Sequence, residues 1–89
     1  MTWEIKLSHE AEKQLASLDK PIREKIAAFI DRIPLYPSPR SIGKALKGSL
    51  SGRWRYSVGD YRIICRLHDK VLIIEVIKIG HRREVYKRK

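Results

Sequence analysis

Hydrophobic and polar residues alternate along three segments of the chain, residues 3–7, 53–58 and 61–67. Alternation with a period of two is typical of a β-strand that buries one face and exposes the other. A fourth segment, residues 71–79, is the most apolar in the chain and also predicts a strand. The pattern therefore predicts a sheet of four strands.

The second and third of these strands flank the dipeptide Gly59-Asp60. Glycine at the first of two turn positions favours a type II′ β-hairpin, and such a turn fixes how the flanking strands pair. The predicted cross-strand pairs are Val58 with Tyr61, Ser57 with Arg62, Arg55 with Ile64, and Arg53 with Arg66.

Two helices are predicted between the first strand and the hairpin. Ser8 is a suitable N-cap for a helix over residues 9–18, and Pro21 suits the first turn of a second helix that runs to about Ile33. The connection between them is short, which predicts an antiparallel helical hairpin. The proline-rich segment 34–39 ends the second helix, and a loop continues to residue 51.

The element order is thus β-α-α-β-β-β, and residues 1–89 are predicted to form one domain. The fold class is α+β, with a two-helix hairpin packed on one face of a mainly antiparallel four-stranded sheet. On the last strand, alternation directs Ile74 and Val76 towards the core and Ile77 towards the other face. Glu75 also lies on that other face, where it could pair with an arginine.

The hairpin register places four arginines on the face away from the helices, which we call the arginine face: Arg53, Arg55, Arg62 and Arg66. Like charges on neighbouring strands destabilise a sheet by up to ~1 kcal/mol per pair. A bound polyanion or an acidic protein partner would compensate for this cost. The forked guanidinium group favours bidentate contact with phosphate or carboxylate.

Charge and composition narrow the classes of function. The net charge is +10, and residues 51–89 carry eleven Lys/Arg against four Asp/Glu. Nucleic acid is the leading partner for such a basic segment, and a membrane surface is not expected because the charges lie on strands. Cys65 is the only cysteine and is predicted to be a core residue, and the histidines are scattered, so no metal or other cofactor is expected. Neither a signal peptide nor a transmembrane segment is predicted, which favours the cytoplasm.

Four motifs resemble the RelE family of the RelE/ParE toxin superfamily. They are LKG at 46–48, GxWR at 52–55, VGDYRII at 58–64 and VIxIGHRREVY at 76–86. The resemblance covers essentially the whole chain and implies a toxin of a type II toxin–antitoxin module. Such a toxin is expected to be a metal-independent endoribonuclease that cuts mRNA on the ribosome and inhibits translation. The implied partners are the ribosome with its mRNA and a cognate antitoxin, in a hetero-oligomer.

The resemblance also implies which residues act. The implied catalytic residues are Arg62, Arg82, Tyr86 and His81, and the implied substrate-binding residues are Lys47, Arg53, Arg55 and Arg66. This chain departs from part of the family at two points. Lysines are common in the family where this chain has Arg53 and Arg55, and the spacing from Arg82 to Tyr86 is shorter than in some members.

The chemistry of these side chains indicates which of them could stabilise charge and which could transfer protons. Arginine does not give up its proton in proteins, so Arg62 and Arg82 suit charge stabilisation. Proton transfer would then fall to His81, whose ordinary pKa is near ~6.5, or to Tyr86, whose ordinary pKa is near ~10. Both residues could instead orient a nucleobase or stack on it.

Two other functions are compatible with the sequence. A ParE-like inhibitor of gyrase would share the fold without needing a nuclease site. A non-catalytic basic module would bind RNA with steep salt dependence and yield no cleavage product.

Overall fold

The computed structural model describes residues 2–86. Three short 3₁₀ segments, Ile33–Leu35, Pro39–Ser41 and Gly48–Leu50, lie in the connection between the helices and the hairpin. The helices and strands are β1 (Glu4–Leu7), α1 (His9–Ala16), α2 (Lys20–Arg32), β2 (Lys44–Ala45), β3 (Trp54–Val58), β4 (Tyr61–His68) and β5 (Ile73–His81).

The strands form one sheet in the order β1-β5-β4-β3-β2. Strand β1 runs parallel to β5, and every other neighbouring pair is antiparallel. The predicted α+β class is confirmed, but the prediction of four strands missed β2. This strand pairs only Lys44 with Arg55 and Ala45 with Trp54, and two residues are too few to show an alternating pattern.

The predicted hairpin register is confirmed from Val58–Tyr61 to Arg55–Ile64. Gly59 has φ +57°, the left-handed conformation that the first position of a type II′ turn requires. The ladder between β3 and β4 ends at the pair of Trp54 with Cys65. Arg53 precedes β3, so the predicted pair of Arg53 with Arg66 is not part of this ladder.

Helix α1 is held to the sheet through its first turns. The Ser8 hydroxyl accepts from the Ala11 N–H at 3.0 Å, as an N-cap does, and donates to the carbonyl of Ile77 at 2.8 Å. The Gln14 side-chain oxygen accepts from the backbone N–H of Ile79 at 2.7 Å. These bonds satisfy the backbone carbonyl of Ile77 and the backbone N–H of Ile79, which lie on the edge of β5 beyond the point where β1 ends.

The core lies between the helices and the near face of the sheet. Cys65 is fully buried there, as predicted. The other buried members of this cluster are Ala11, Ile26, Ile30, Ile33, Tyr56, Ile63, Ile74, Val76 and Ile79.

The loop between α2 and β3 is fastened across the core side of β3. The Tyr56 hydroxyl donates to the carbonyl of Pro39 at 2.6 Å, and the Trp54 indole N–H donates to the carbonyl of Ile42 at 2.8 Å. Arg40 also makes a bidentate ion pair with Asp69, at 2.7 and 3.0 Å, in the turn between β4 and β5. The loop therefore has a defined position relative to the sheet.

A β-bulge interrupts the pairing of β4 with β5. Cys65 pairs with Val76, whereas the preceding residue Ile64 pairs with Lys78, so Ile77 is the extra residue. Ile77 and Lys78 both lie beside Ile64, on the arginine face. Alternation correctly predicts the position of Ile77, but without the bulge it would direct Lys78 towards the core.

Burial of Cys65 predicts a loss of stability at high pH. Desolvation raises the pKa of this thiol to about 12 in the folded protein, whereas a thiol in an unfolded chain titrates near ~8.5. Above that pH the unfolded chain releases a proton that the folded chain retains, so the stability present below pH ~8.5 is lost progressively as the pH rises towards 12. We expect the free energy of unfolding in urea to fall less between pH 8 and pH 10.5 for Cys65→Ala than for the wild type. Equal slopes for the two proteins would contradict the raised pKa.

Candidate functional site

Arg62 and Arg82 both contact the turn of the hairpin. The Arg62 guanidinium donates to the carbonyls of Gly59 and Tyr61, at 3.0 and 3.1 Å. The Arg82 N–H donates to the carbonyl of Asp60 at 2.7 Å, and the Arg82 side-chain Nε lies 3.7 Å from the Asp60 carboxylate. The fold therefore gathers two permanent positive charges around one exposed two-residue turn.

The segment after β5 folds back onto the sheet. The N–H groups of Glu84 and Val85 both donate to the carbonyl of His81, at 2.8 and 2.9 Å. Val85 is buried and packs over Gly80, where an added Cβ would lie 3.5 Å from the Val85 side chain. Because Gly80 is the cross-strand partner of Arg62, the turn lies directly beside the arginine face.

This turn closes one side of a cleft of about 220 Å³ on the arginine face. The polar groups that line the cleft include Arg53, Lys78 and Tyr86. Its aliphatic wall is formed by Leu50, Ile64, Ile77 and Val85. Ile64 is two residues from Arg62 on the same face, about 7 Å along the strand, so the cleft adjoins the Arg62–Arg82 cluster.

The other predicted arginines differ in their surroundings. The side-chain Nε atoms of Arg53 and Arg55 are buried, and neither has a hydrogen-bond partner within residues 2–86. Arg55 lies at the β2 side of the sheet, in a depression that Lys44 also lines. Arg66 is exposed and pairs in register with Glu75.

The expectation that Glu75 pairs with an arginine is wrong. Its carboxylate lies 3.0 Å from Nε2 of His68, although Arg66 is its backbone partner across the strands. The carboxylate therefore does not offset the charge of Arg62, which lies four residues along β4 from Arg66.

The structure places the His81 ring away from Arg62. Its ring packs edge-on against Tyr61, with ring centres 5.6 Å apart, and Tyr61 packs against the core on the helix side of the sheet. The His81 Nδ1 atom accepts from the backbone N–H of Arg83 at 3.2 Å. His81 thus lies on the opposite face from Arg62, and its predicted role in catalysis has no support in this geometry.

The remaining predicted residue, Lys47, is exposed directly before the 3₁₀ segment Gly48–Leu50, which contributes Leu50 to the cleft. Lys78 was not predicted to belong to the site. The pairing shift at Ile77 places it there, and no local sequence signal marks that shift.

Within residues 2–86, no group of histidine, cysteine, aspartate and glutamate side chains is placed to hold a metal ion. The helices in this part of the chain are also too short or too polar to span a bilayer. The charged and aromatic side chains that line the cleft carry guanidinium, ammonium and phenol groups.

A model of the family described as ParE toxin of type II toxin-antitoxin system, parDE, matches residues 5–86. Two similar proteins are toxins of Mycobacterium tuberculosis. Toxin RelG is 25% identical over 88 residues, which covers 99% of this chain and 100% of RelG. Toxin RelE is 27% identical over 85 residues, which covers 96% of this chain and 87% of RelE.

Solved structures show the same architecture. The toxin–antitoxin complex RelBE2 of Mycobacterium tuberculosis superposes with a TM-score of 0.83 at 21% identity, over 91% of this chain and 99% of the other. The archaeal RelE–RelB complex of Pyrococcus horikoshii gives a TM-score of 0.72 at 29% identity, over 96% of this chain and 100% of the other.

Proposed function

Because the chain belongs to the ParE toxin family of type II toxin–antitoxin systems, within the RelE/ParE superfamily, we propose that it is a toxin that cleaves mRNA. The observation that carries the nuclease proposal is the cleft of Arg53 and Tyr86 beside the Arg62–Arg82 cluster. A protein that only inhibits gyrase would not need this combination of a phenol and phosphate-binding groups.

RNA supplies its own nucleophile, the ribose 2′-hydroxyl. Its attack on the adjacent phosphorus forms a bond from O2′ to phosphorus and breaks the bond to the leaving 5′-oxygen. Negative charge accumulates on the phosphate oxygens during this step, and fixed positive charges lower the barrier. Arg62 and Arg82 are suited to hold those oxygens, while Arg53 and Arg55 are suited to flanking phosphates.

The two proton transfers need a different group. A base must take the 2′-hydroxyl proton and an acid must give one to the leaving oxygen. Tyr86 is the titratable residue among the cleft-lining groups that is neither guanidinium nor ammonium, so we assign it to one of these transfers or to orienting the ribose. Arg53 and Lys78 line the same cleft as Tyr86.

The partners follow from the relatives. The two complexes described above pair RelE-type toxins with RelB antitoxins, and we propose that this chain forms a hetero-oligomer with an antitoxin of its own. An acidic segment of that antitoxin would neutralise the arginine face. The proposed site of action is the ribosome in the cytoplasm, where the decoding site presents single-stranded mRNA.

Transcript-end mapping after induced expression of the intact chain tests the proposal. We expect new 5′ ends within translated reading frames, and we expect them to vanish from a matched transcript that lacks its start codon. Cuts in both transcripts would show that the ribosome is dispensable. A DNA-damage response without cuts would favour gyrase inhibition, and salt-dependent RNA binding without either would favour a binding module.

Replacing Tyr86 with phenylalanine tests the role of its hydroxyl. We expect cleavage on programmed ribosomes to fall by about 10²–10⁴-fold, the usual contribution of a proton-transfer group, while binding to the ribosome is retained. Tyr36→Phe is a matched control, since the exposed fractions of the two tyrosines are 39% for Tyr36 and 38% for Tyr86. Unchanged cleavage by Tyr86→Phe would remove the hydroxyl from the chemistry.

A further inference from the structure

We propose that Lys78 is a further RNA-binding residue, whose ammonium group contacts a backbone phosphate next to the one that is cleaved. This inference rests on the proposed function, because it assigns Lys78 to the same RNA strand as Arg62 and Arg82. It concerns a residue that neither the motifs nor the alternating pattern places in the site.

The bulge is the first observation. Ile77 is inserted between the pairs Cys65–Val76 and Ile64–Lys78, and this moves Lys78 to the face that carries Arg53 and Arg62. Bulges often re-aim side chains beside functional sites and are not random defects. Without the insertion, Lys78 would point into the core between the sheet and the helices, where an unpaired ammonium would be costly.

The surroundings of Lys78 are the second observation. Four aliphatic residues line the cleft together with Lys78 and Arg53, and no carboxylate lines it. Within residues 2–86, no hydrogen bond or ion pair involves the Lys78 ammonium. Two like charges that share an apolar wall repel each other. A phosphate bound between them would attract both, and these attractions would outweigh the repulsion.

The position of Lys78 separates its role from that of the Arg62–Arg82 cluster. Lys78 pairs with Ile64, whereas Arg62 pairs with Gly80, so the two side chains lie about two residues apart along the same face. A lysine is a mobile point charge without the fork of arginine. It is therefore suited to hold a flanking phosphate and to guide the strand into the cleft, but not to bind two oxygens of the reacting phosphate.

The test compares Lys78→Met with Lys78→Arg, because methionine keeps the apolar stem and arginine keeps the charge. Lys70→Met is the control, since Lys70 is exposed in the turn between β4 and β5 and is not among the residues that line the cleft. One readout is cleavage of mRNA on programmed ribosomes. The other is the salt dependence of binding to a short single-stranded RNA that carries 2′-methoxy groups and so cannot be cut.

We expect Lys78→Met to lower kcat/KM about tenfold, mainly through KM, which corresponds to the loss of one phosphate contact. The slope of log K against log salt should become shallower by about 0.7, the value for one phosphate on a single strand. Lys78→Arg should restore both quantities, and Lys70→Met should change neither.

Wild-type values of both quantities in Lys78→Met would overturn the inference. So would a loss of cleavage that Lys78→Arg does not restore and that leaves the salt slope unchanged, because this pattern indicates a structural role. If the wild type cut no RNA while Lys78→Met still reduced the salt slope, the nuclease proposal would fall and the RNA contact would stand.

Discussion

Replacing either Arg62 or Arg82 with alanine is expected to lower the rate of mRNA cleavage by about 10²–10³-fold, the usual effect of removing one group that stabilises transition-state charge. The two guanidinium groups contact different atoms of the turn at Gly59-Asp60. Neither can therefore fully replace the other without moving. The measurement is the single-turnover rate on programmed ribosomes, with growth arrest on induction as the cellular readout.

These substitutions should leave the fold intact. Arg62 donates only to carbonyls of its own hairpin, and Arg82 contributes an exposed ion pair to Asp60 at 3.7 Å. Exposed pairs of this kind contribute about 0–1 kcal/mol to stability. Arg32→Ala removes an exposed guanidinium from α2 and is the matched control. Full growth arrest by both Arg62→Ala and Arg82→Ala would overturn the phosphate-clamp assignment.

Local signals in the sequence were sufficient for the elements that depend on near neighbours. The turn at Gly59-Asp60 determines the hairpin register because only two residues separate its strands. The N-cap at Ser8 correctly marks the start of α1, although the helix ends at Ala16 rather than Leu18. In each case the residues that decide the structure are close together in the chain.

Features that depend on distant residues were missed or misplaced. The position of Lys78 depends on how β5 pairs with β4, and the bulge at Ile77 breaks the alternation that the pattern assumes. Strand β2 exists because the loop is fastened to β3 through Tyr56 and Trp54. Neither the bulge nor the docking of the loop leaves a periodic signal.

The candidate site contains residues of both kinds, some positioned by near neighbours in the chain and others by distant residues. Arg62 follows directly from the hairpin register, so its face was predictable. Tyr86 reaches the cleft because the turn after β5 packs Val85 over Gly80, and this contact is not visible in the pattern. His81 belongs to the same motif as Arg82, yet it ends β5 on the face of the sheet opposite to Arg62.

Gly43→Ala is expected to cause the largest loss of stability among single methyl additions at the four glycines that have a positive φ in residues 2–86. Gly43 has φ +82°, and a Cβ there would collide with the carbonyl oxygen of Arg55 and lie 2.6 Å from the Trp54 indole nitrogen. Backbone and a packed indole cannot move aside cheaply, so β2 must shift away from β3. We expect the free energy of unfolding to fall by about 3–4 kcal/mol in urea denaturation.

Gly52→Ala separates the collision from the backbone strain. Gly52 has φ +91°, close to that of Gly43, but an added Cβ there meets nothing within 4 Å. Only the cost of a left-handed conformation applies, about 1–2 kcal/mol. The difference between the two variants therefore measures how tightly the loop is fastened to β3. Equal losses of stability in the two variants would mean that the loop can leave β3 without cost.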